Sequence, residues 1–277
     1  SGFKIFIIKL EGSKKNKTEK YLFQIIDFLI QNKFTKNSIL ISCGGGVVGD
    51  LSALASSLYL RGLIYCHIPT TITAIVDSCI GGKTAINFRG IINSFGNYYH
   101  PKLVFIFDEI IQNIPEREFR SGIPEILKYG LIKKNSIISI LEKKRELILN
   151  RNFKIIQKIC AESLKAKLFF FLKDEREKNV RLYLNFGHTF AHAIEMALNI
   201  DRKKDFIQHG EAVGLGMLCE IYYTDLKKNK LFLKAKNILE QYSLFSDLKS
   251  ILPKKTNRND IHKKIFLNIF LDKKKIG

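Results

Sequence analysis

The first part of the chain alternates short apolar runs with amphipathic stretches. Runs rich in β-branched and aromatic residues predict strands at 3–10, 38–43, 63–68 and 103–108. Between them, apolar residues recur at helical spacing, which predicts helices over 18–31, 51–60 and 70–79. Thr18 is placed to cap the first of these helices. Because strands that alternate with helices are typical of a parallel sheet, we expect an α/β domain over residues 1–108.

Strand signals stop after Asp108, and helical spacing dominates the rest of the chain. A helix is expected to begin at Ile114-Pro115-Glu116, since proline is tolerated in the first turn of a helix. Further helical patterns cover residues 137–148, 153–172, 184–198, 211–226, 231–242 and 261–270. We therefore expect an all-α domain over residues 109–277. Clefts between two such halves are common ligand sites.

Gly44, Gly46 and Gly49 form the pattern G-x-G-x-x-G between a predicted strand and a predicted helix. Glycines there let the backbone approach a pyrophosphate, and the helix N-terminus offers free N–H groups and the positive end of its dipole. The alternative is a tight turn with close helix packing. No acidic residue follows about twenty residues on to hold a ribose, and Asp50 lies inside the turn. We interpret the motif as a Rossmann-like variant that binds a dinucleotide.

A second glycine-rich turn at residues 77–84 reads D-S-C-I-G-G-K-T. It lacks the full P-loop pattern, because Asp77 stands where the first glycine is required and a predicted helix precedes the turn. This argues against a nucleoside triphosphatase. Lys83 beside two glycines suits a phosphate or a carboxylate, and the alternative is an ordinary loop lysine.

Three of the six histidines lie between residues 181 and 213. His188 and His192 are four residues apart and share one face of a predicted helix, and His209 begins the next helix. Imidazole is a favoured zinc ligand, and a catalytic zinc site takes three protein ligands. The alternative is two core histidines and one capping histidine, and the spacing alone does not separate these interpretations.

Glu125 and Lys128 share one face of a predicted helix, at positions i and i+3. The simpler interpretation is an exposed ion pair, which contributes only a few tenths of a kcal/mol. The flanking residues Ile123, Ile126 and Leu127 instead indicate a buried helix, and a buried glutamate needs a partner or a metal.

The chain has a net charge of +20, from 46 basic and 26 acidic residues. The lysines are spread in short clusters, without a basic arm or an aromatic-basic RNA motif, so we expect a general attraction for anions and no nucleic-acid partner. Five scattered cysteines without a C-x-x-C pair indicate a reducing compartment. No apolar run is long enough to span a bilayer and no secretory signal is present, so we expect a cytoplasmic protein.

Taken in order, these motifs resemble those of the 3-dehydroquinate synthases, shikimate-pathway enzymes of the sugar-phosphate cyclase family. The resemblance covers nearly the whole chain. Its motifs are G-G-G-V-V-G-D at 44–50, Y-L-R-G at 59–62, P-T-T at 69–71, V-D-S-C-I-G-G-K-T at 76–84, P-E-I-L-K-Y-G at 124–130, D-E-R-E at 174–177, N-F-G-H-T-F-A-H-A-I-E at 185–195, H-G-E-A-V at 209–213 and D-K-K at 272–274.

The resemblance implies an NAD-binding α/β domain and a helical metal-binding domain, working as a homodimer. It implies zinc or cobalt bound by Glu125, His188 and His209, with His192 as a proton-transfer residue and not a ligand. The residues that would hold the substrate are Asp77, Lys83, Asn93, Lys128, Lys167, Arg181, Asn185 and Arg61, the last reaching a phosphate in the neighbouring subunit. The residues that would hold the dinucleotide are Gly44, Gly45, Gly46, Val47, Asp50, Thr70, Thr71, Asp77 and Lys83.

The implied activity converts 3-deoxy-D-arabino-heptulosonate 7-phosphate, a small anionic sugar phosphate, to 3-dehydroquinate and phosphate. In it, NAD+ takes and later returns a hydride, and the metal polarises a ring hydroxyl. Phosphate leaves by elimination, and an intramolecular aldol step closes the carbocycle, which makes the enzyme a carbon–oxygen lyase. Two other interpretations stay open, namely another sugar-phosphate cyclase and a non-catalytic homologue.

The sequence departs from the family pattern at several places. Ile92 stands where the family usually has a lysine, which removes a cation from the rim of the pocket. The family's Gly-Glu-x-x-Lys motif is reduced to the segment 12–17, G-S-K-K-N-K, without its acid. Pro124 replaces a small residue. The chain is also shorter than family members at both ends, so we expect the N-terminal part of the nucleotide domain to be missing.

Overall fold

A computed structural model of the chain describes residues 2–89, 91–199, 206–224, 230–252 and 257–273. The chain divides into two compact units, Ser1–Ile114 and Pro115–Gly277. The D-K-K motif at 272–274 reaches beyond the described residues, and the lysine pairs at 203–204, 227–228 and 254–255 lie outside them. Within the described part of the chain, no helix combines the length and the apolar character needed to cross a bilayer.

Unit 1 (Ser1–Ile114) contains a parallel sheet and a separate hairpin. Its elements in chain order are α1 (Glu19–Gln31), β1 (Ile39–Gly44), α2 (Gly46–Leu58), β2 (Ile64–Pro69), β3 (Lys83–Phe88), β4 (Ile91–Tyr98), β5 (Leu103–Val104) and α3 (Asp108–Asn113). The sheet has the order β1-β2-β5, with both pairings parallel. β3 and β4 form the antiparallel hairpin. The parallel sheet confirms the α/β class that the alternating pattern predicts.

Apolar side chains from α1, α2 and one face of the sheet form the core of unit 1. In α1, Leu22, Ile25 and Leu29 are buried at the spacing of one helix face. β1 buries alternate residues, so Leu40 joins this core while Ile41 is exposed. The core therefore lies on the face of β1 that carries Leu40, and α2, which follows the glycine turn, packs on it.

The run at 3–10 was predicted as a strand, and this prediction was wrong. Ile5 and Ile7 are 78% and 79% exposed. High β-propensity produces a strand only where a neighbour is available for pairing, and the two sheets of the described chain provide no partner for this run. Thr18 precedes α1 as predicted, but its side chain makes no capping hydrogen bond.

Three other parts of unit 1 differ from the prediction. The strand expected over 103–108 is limited to β5, and α3 begins already at Asp108. The helix expected over 70–79 is shorter than predicted and consists mainly of a π-helical turn at Ala74–Ser78. The hairpin of β3 and β4 was not predicted, because its strands lack a strict alternation of apolar and polar residues.

Unit 2 (Pro115–Gly277) contains only helices and connecting segments among its described residues. Its α-helices are α4 (Glu116–Ser121), α5 (Ile123–Ile132), α6 (Asn135–Lys143), α7 (Arg145–Leu149), α8 (Phe153–Lys173), α9 (His188–Asn199), α10 (His209–Thr224), α11 (Lys230–Gln241) and α12 (Arg258–Lys273). This confirms the all-α class of the second half. The helix predicted over 137–148 is divided at Lys144. The helix predicted over 184–198 begins only at His188, because Gly187 adopts a φ of 82°.

Candidate metal centre and nucleotide-binding turn

Three helices of unit 2 carry the candidate metal ligands. Glu125 lies in the first turn of α5, His188 begins α9 and His209 begins α10. A Cβ at Gly216 would lie 2.0 Å from the carbonyl oxygen of Gly187. Only glycine at position 216 therefore allows α10 to approach the start of α9 this closely. This contact holds the first turn of α9, with its histidine, against α10.

The ligand atoms of these three residues converge. Glu125 Oε1 lies 3.5 Å from His188 Nε2 and 3.6 Å from His209 Nε2. All three ligand atoms lie within 4.8 Å of one another. Ligand atoms about 2 Å from a tetrahedral zinc ion are roughly 3–3.5 Å apart, so the spacing fits one shared ion. One carboxylate and two imidazoles also leave a fourth position open, as in a catalytic zinc site.

Burial and a nearby cation keep His188 in the form that binds a metal. Glu125 is fully buried, and Lys128 Nζ lies 2.5 Å from its Oε2. Burial, followed by the positive charge of Lys128, lowers the pKa of His188 to about 3. The imidazole of His188 is therefore neutral near pH 7, and neutral imidazole is the metal-binding form.

His192 lies beside the two candidate ligand histidines. Its ring centroid is 5.7 Å from that of His188 and 6.2 Å from that of His209. Among the described residues, the side chains able to share one ion are Glu125, His188 and His209. The geometry thus separates the three histidines into two candidate ligands and one neighbour, which the sequence spacing could not do.

An ion pair and a helix cap fix the start of α10. The buried carboxylate of Glu211 accepts hydrogen bonds from Arg117 Nε at 2.9 Å and Arg117 Nη2 at 2.8 Å. It also accepts the backbone N–H of Gln208, the residue before α10, at 2.8 Å. A glutamate at the third helical position that reaches back to the N-cap is the acidic half of a capping box. Sequence reasoning assigned Glu211 no role, although its position three residues after Gln208 was a usable signal.

Lys167 and Arg181, two predicted substrate residues, are buried cations of unit 2. Lys167 lies on α8, and Arg181 lies in the 3-10 turn before α9. Arg181 Cζ is 5.1 Å from the ring centroid of Phe171, and such stacking fixes the plane of a guanidinium. Asn185, also predicted, donates Nδ2–H to Glu177 Oε1 at 2.8 Å. Glu177 was quoted within the D-E-R-E motif without a role.

The glycine turn joins β1 to α2, as the sequence predicts. Gly44 ends β1, Gly45 is the N-cap and Gly46 is the first residue of α2. A Cβ at Gly45 would lie 3.2 Å from Thr71 Cγ2, so the turn packs closely on the segment after β2. A glycine N-cap offers no side-chain acceptor to the first N–H groups of α2, and this geometry suits an anionic ligand.

A small cavity lies beside this turn. Its volume of about 20 Å³ accommodates one water molecule. The residues with polar side chains that line it are Asp50, Tyr65, His67, Ser78, Lys83, Thr84 and Tyr99. Two predicted dinucleotide residues, Asp50 and Lys83, therefore border the same cavity.

A buried cluster of Ser42, Tyr65 and His67 adjoins the cavity. Ser42 Oγ lies 2.8 Å from Tyr65 Oη and 2.7 Å from His67 Nδ1, and Tyr65 donates to the carbonyl oxygen of Gly49 at 3.1 Å. His67 is 2% exposed, and burial lowers its pKa to about 4, so the ring is neutral. Its Nε2 has no hydrogen-bond partner within the described part of the chain. The sequence analysis assigned no role to His67. Its position as a polar residue inside an otherwise apolar predicted strand was a usable signal.

Lys17 connects two predicted residues of unit 1. Its Nζ lies 2.5 Å from Asp50 Oδ2 and donates to Asn93 Oδ1 at 2.6 Å. Lys17 ends the altered motif at 12–17, so a lysine charge is present beside the glycine turn although the acid of that motif is absent. Lys17 also places a cation next to Asn93, beside the position where this chain has Ile92 and the family usually has a lysine.

The remaining predicted residues of unit 1 lie at the ends of its elements. Val47 is in the first turn of α2, and Thr70 and Thr71 follow β2. Asp77 lies in the π-helical turn. Arg61 lies in the tight turn after α2 with a φ of 63°. These residues therefore lie in or next to the segments that connect the strands and helices of unit 1.

The two units match the two halves of one protein family. A family profile described as 3-dehydroquinate synthase N-terminal matches residues 7–121, and one described as 3-dehydroquinate synthase C-terminal matches residues 122–275. The chain belongs to the 3-dehydroquinate synthase family. The resemblance inferred from the motifs is thereby confirmed.

Individual 3-dehydroquinate synthases are similar over most of this chain. The protein from Dictyoglomus thermophilum is 44% identical over 78% of this chain and 60% of its own length. The protein from Clostridium kluyveri is 38% identical over 100% of this chain and 74% of its own length. The chain thus spans 60% to 74% of the length of these two 3-dehydroquinate synthases.

Solved structures of two sugar-phosphate cyclases have the same fold as this chain. The 2-epi-5-epi-valiolone synthase of Streptomyces hygroscopicus, with NAD+ and Zn2+ bound, aligns with a TM-score of 0.81 at 24% identity over 95% of this chain and 72% of that chain. A 2-deoxy-scyllo-inosose synthase complexed with carbaglucose-6-phosphate, NAD+ and Co2+ aligns with a TM-score of 0.78 at 24% identity over 94% of this chain and 70% of that chain. At this identity, the similarity shows the common fold of the 3-dehydroquinate synthase family and these cyclases.

Proposed function

We propose that this chain carries the catalytic machinery of a 3-dehydroquinate synthase, a carbon–oxygen lyase. The reaction converts 3-deoxy-D-arabino-heptulosonate 7-phosphate to 3-dehydroquinate and phosphate. The observation that carries the proposal is the convergence of Glu125, His188 and His209, whose ligand atoms lie within 4.8 Å of one another. Membership of the 3-dehydroquinate synthase family supports the same reaction.

Glu125, His188 and His209 would hold a zinc or cobalt ion. Their donor set of one carboxylate oxygen and two imidazole nitrogens fits either metal. When bound, the ion would supply a Lewis acid that polarises a hydroxyl group of the substrate. Lys128, whose Nζ lies 2.5 Å from Glu125 Oε2, places a second positive charge there and would hold a substrate hydroxyl.

The glycine turn would hold NAD. The first N–H groups of α2, from Gly46 and Val47 onward, would bind the pyrophosphate, and Asp50 and Thr71 border the same turn. NAD would supply a hydride acceptor that is regenerated in each turnover, so the reaction has no net redox change. Two cyclases of the same fold were solved with NAD+ bound.

The substrate carries a carboxylate and a phosphate, and cations of this chain suit both groups. Arg181 and Lys167 are buried, and a guanidinium plane held against Phe171 matches a planar carboxylate. Arg61 would bind the phosphate of the substrate that is held by the neighbouring subunit of a homodimer. The remaining residues that would contact the substrate are Asp77, Lys83, Asn93 and Asn185.

His192 would move the proton at the substrate hydroxyl that the metal polarises. Its ring stacks on that of His209 at an interplanar angle of 24°. Imidazole is the side chain that most often transfers protons near neutral pH, and this one lies beside the ligand cluster without belonging to it. Loss of His192 should therefore slow turnover without removing the metal.

Phosphate release from the heptulosonate phosphate, with added NAD+ and Zn2+, tests the proposal. The unaltered chain should release phosphate, His209→Ala should not, and Glu162→Gln, a substitution on α8 at a residue that pairs with lysines, should behave as the unaltered chain. Absence of release from a chain that binds both zinc and NAD would contradict the proposal and favour a non-catalytic homologue. Faster release from a heptulose phosphate without a carboxylate would instead identify another sugar-phosphate cyclase.

A further inference from the structure

Each of the two candidate ligand imidazoles contacts an oxygen atom through Nδ1, the nitrogen that does not face Glu125. Both direct Nε2 towards Glu125, and each Nδ1 meets an oxygen on the opposite side. His188 Nδ1 lies 3.3 Å from the carbonyl oxygen of Phe186, and His209 Nδ1 lies 3.2 Å from Glu195 Oε2. One imidazole is therefore held by a neutral backbone group and the other by a carboxylate.

These contacts set the tautomer of both rings. A carbonyl or carboxylate oxygen only accepts hydrogen bonds, so each Nδ1 carries the hydrogen and each Nε2 presents its lone pair to the metal position. The oxygen behind His188 belongs to the backbone of the turn and moves only with it. The oxygen behind His209 belongs to the side chain of Glu195, so this is the one of the two contacts that a side-chain substitution can remove.

Glu195 is placed for this contact by the periodicity of α9. His188, His192 and Glu195 lie at i, i+4 and i+7, which puts all three on one face of the helix. The same face thus presents a ligand, the neighbouring histidine and a carboxylate towards the start of α10. The Glu195 side chain is only 11% exposed, so its charge is weakly screened by water.

We propose that Glu195 is a positioning residue of the metal centre. It accepts the Nδ1–H of His209, holds the ring so that Nε2 faces Glu125, and adds a negative charge behind the ligand. This inference rests on the proposed metal centre and adds to it a residue that does not touch the ion.

Metal affinity and the visible spectrum of the cobalt form test the role of Glu195 in the full chain. Glu195→Gln keeps the shape of the side chain and removes its charge, and Glu195→Leu removes the acceptor as well. Zinc affinity is measured by competition with a chromophoric chelator, and Co2+ reports ligand geometry through its d–d absorption. Glu162→Gln is the matched control, since this glutamate pairs with Lys134 and Lys165 and touches no imidazole.

The expected result is zinc binding weakened about 10- to 100-fold in Glu195→Leu, with an altered cobalt spectrum. Glu195→Gln should weaken zinc binding less and keep the spectrum, because its amide oxygen still accepts from Nδ1. Equal affinity and equal spectra in both variants and the unaltered chain would overturn the inference. A lower melting temperature of the metal-free chain with unchanged zinc affinity would also overturn it, by showing a merely structural carboxylate. If the unaltered chain itself binds no divalent ion, the proposed metal centre is refuted. This outcome differs from failure of the proposed role of Glu195, because it is seen without any substitution.

Discussion

Replacing Gly210 by alanine should displace the helix that carries His209. A Cβ at Gly210 would lie 1.5 Å from the carbonyl oxygen of Ser121 and 2.7 Å from its carbonyl carbon. Carbon–oxygen contacts lie near 3.3–3.6 Å, so the first turn of α10 must move by roughly 2 Å relative to the end of α4. The obstacle is backbone, so rotation of a side chain cannot relieve it.

The expected cost follows from this overlap. Overpacking of a well-packed core costs typically about 1–3 kcal/mol, and a backbone obstacle places Gly210→Ala at the upper end. For a unit of this size, about 1 kcal/mol corresponds to roughly 2–4 °C in melting temperature, so we expect a decrease of about 5–10 °C. His209 is the adjacent residue, so zinc affinity should fall together with stability.

Gly214→Ala provides the matched control, because it changes the same residue type in the same helix. Its Cβ would lie 3.2 Å from the flexible side chain of Leu239, which can adjust, and 3.4 Å from Pro124, which is an ordinary van der Waals contact. Replacing a helical glycine by alanine also gains up to about 1 kcal/mol in helix propensity. Differential scanning fluorimetry and zinc titration of both variants are the assays. A Gly210→Ala chain with the melting temperature and zinc affinity of the Gly214→Ala chain would refute the described packing of α4 against α10.

Other predictions concern the cluster beside the glycine turn and the cap of α10. The folded pKa of His67 is depressed to about 4, so the stability it contributes is present above pH 6.5 and is lost as the pH falls towards 4. Urea unfolding should show a loss of up to about 3 kcal/mol across that window, and His67→Gln should flatten the pH dependence. Tyr65→Phe removes the bond to the carbonyl of Gly49 and should cost about 1–2 kcal/mol at pH 7 by the same assay; an unchanged midpoint would show that the bond is not formed. Arg117→Met leaves the buried carboxylate of Glu211 without its bidentate partner and should cost about 1–3 kcal/mol, discounted because Arg117 is half exposed; a stability equal to that of the unaltered chain would contradict this.

Elements with local signals were predictable from the sequence. β1 and β2 are largely apolar runs that end at a glycine and a proline, and the observed strands begin one residue after the predicted ones. α8 was predicted to within one residue, because its apolar spacing continues without interruption for its whole length. The glycine turn was also readable, since a strand, a glycine run and a helix follow directly along the chain.

Elements that depend on distant partners were not predictable in the same way. The run at 3–10 has the composition of a strand, and only the arrangement of the sheets shows that it pairs with no strand among the described residues. The spacing of His188 and His192 left open which imidazole binds a metal, because the answer depends on where α5 places Glu125. His67 and Glu195 act through side chains of other elements, so their contacts appear only in the folded chain.

Zinc titration of the metal-depleted chain tests the central claim, that one carboxylate and two imidazoles share an ion. The unaltered chain should bind one zinc ion, and Glu125→Ala, His188→Ala and His209→Ala should each lose more affinity than the roughly 10- to 100-fold typical of outer-shell changes. His192→Ala should keep the ion. Absence of zinc binding by the unaltered chain, or loss of the ion in His192→Ala with its retention in His209→Ala, would contradict the account.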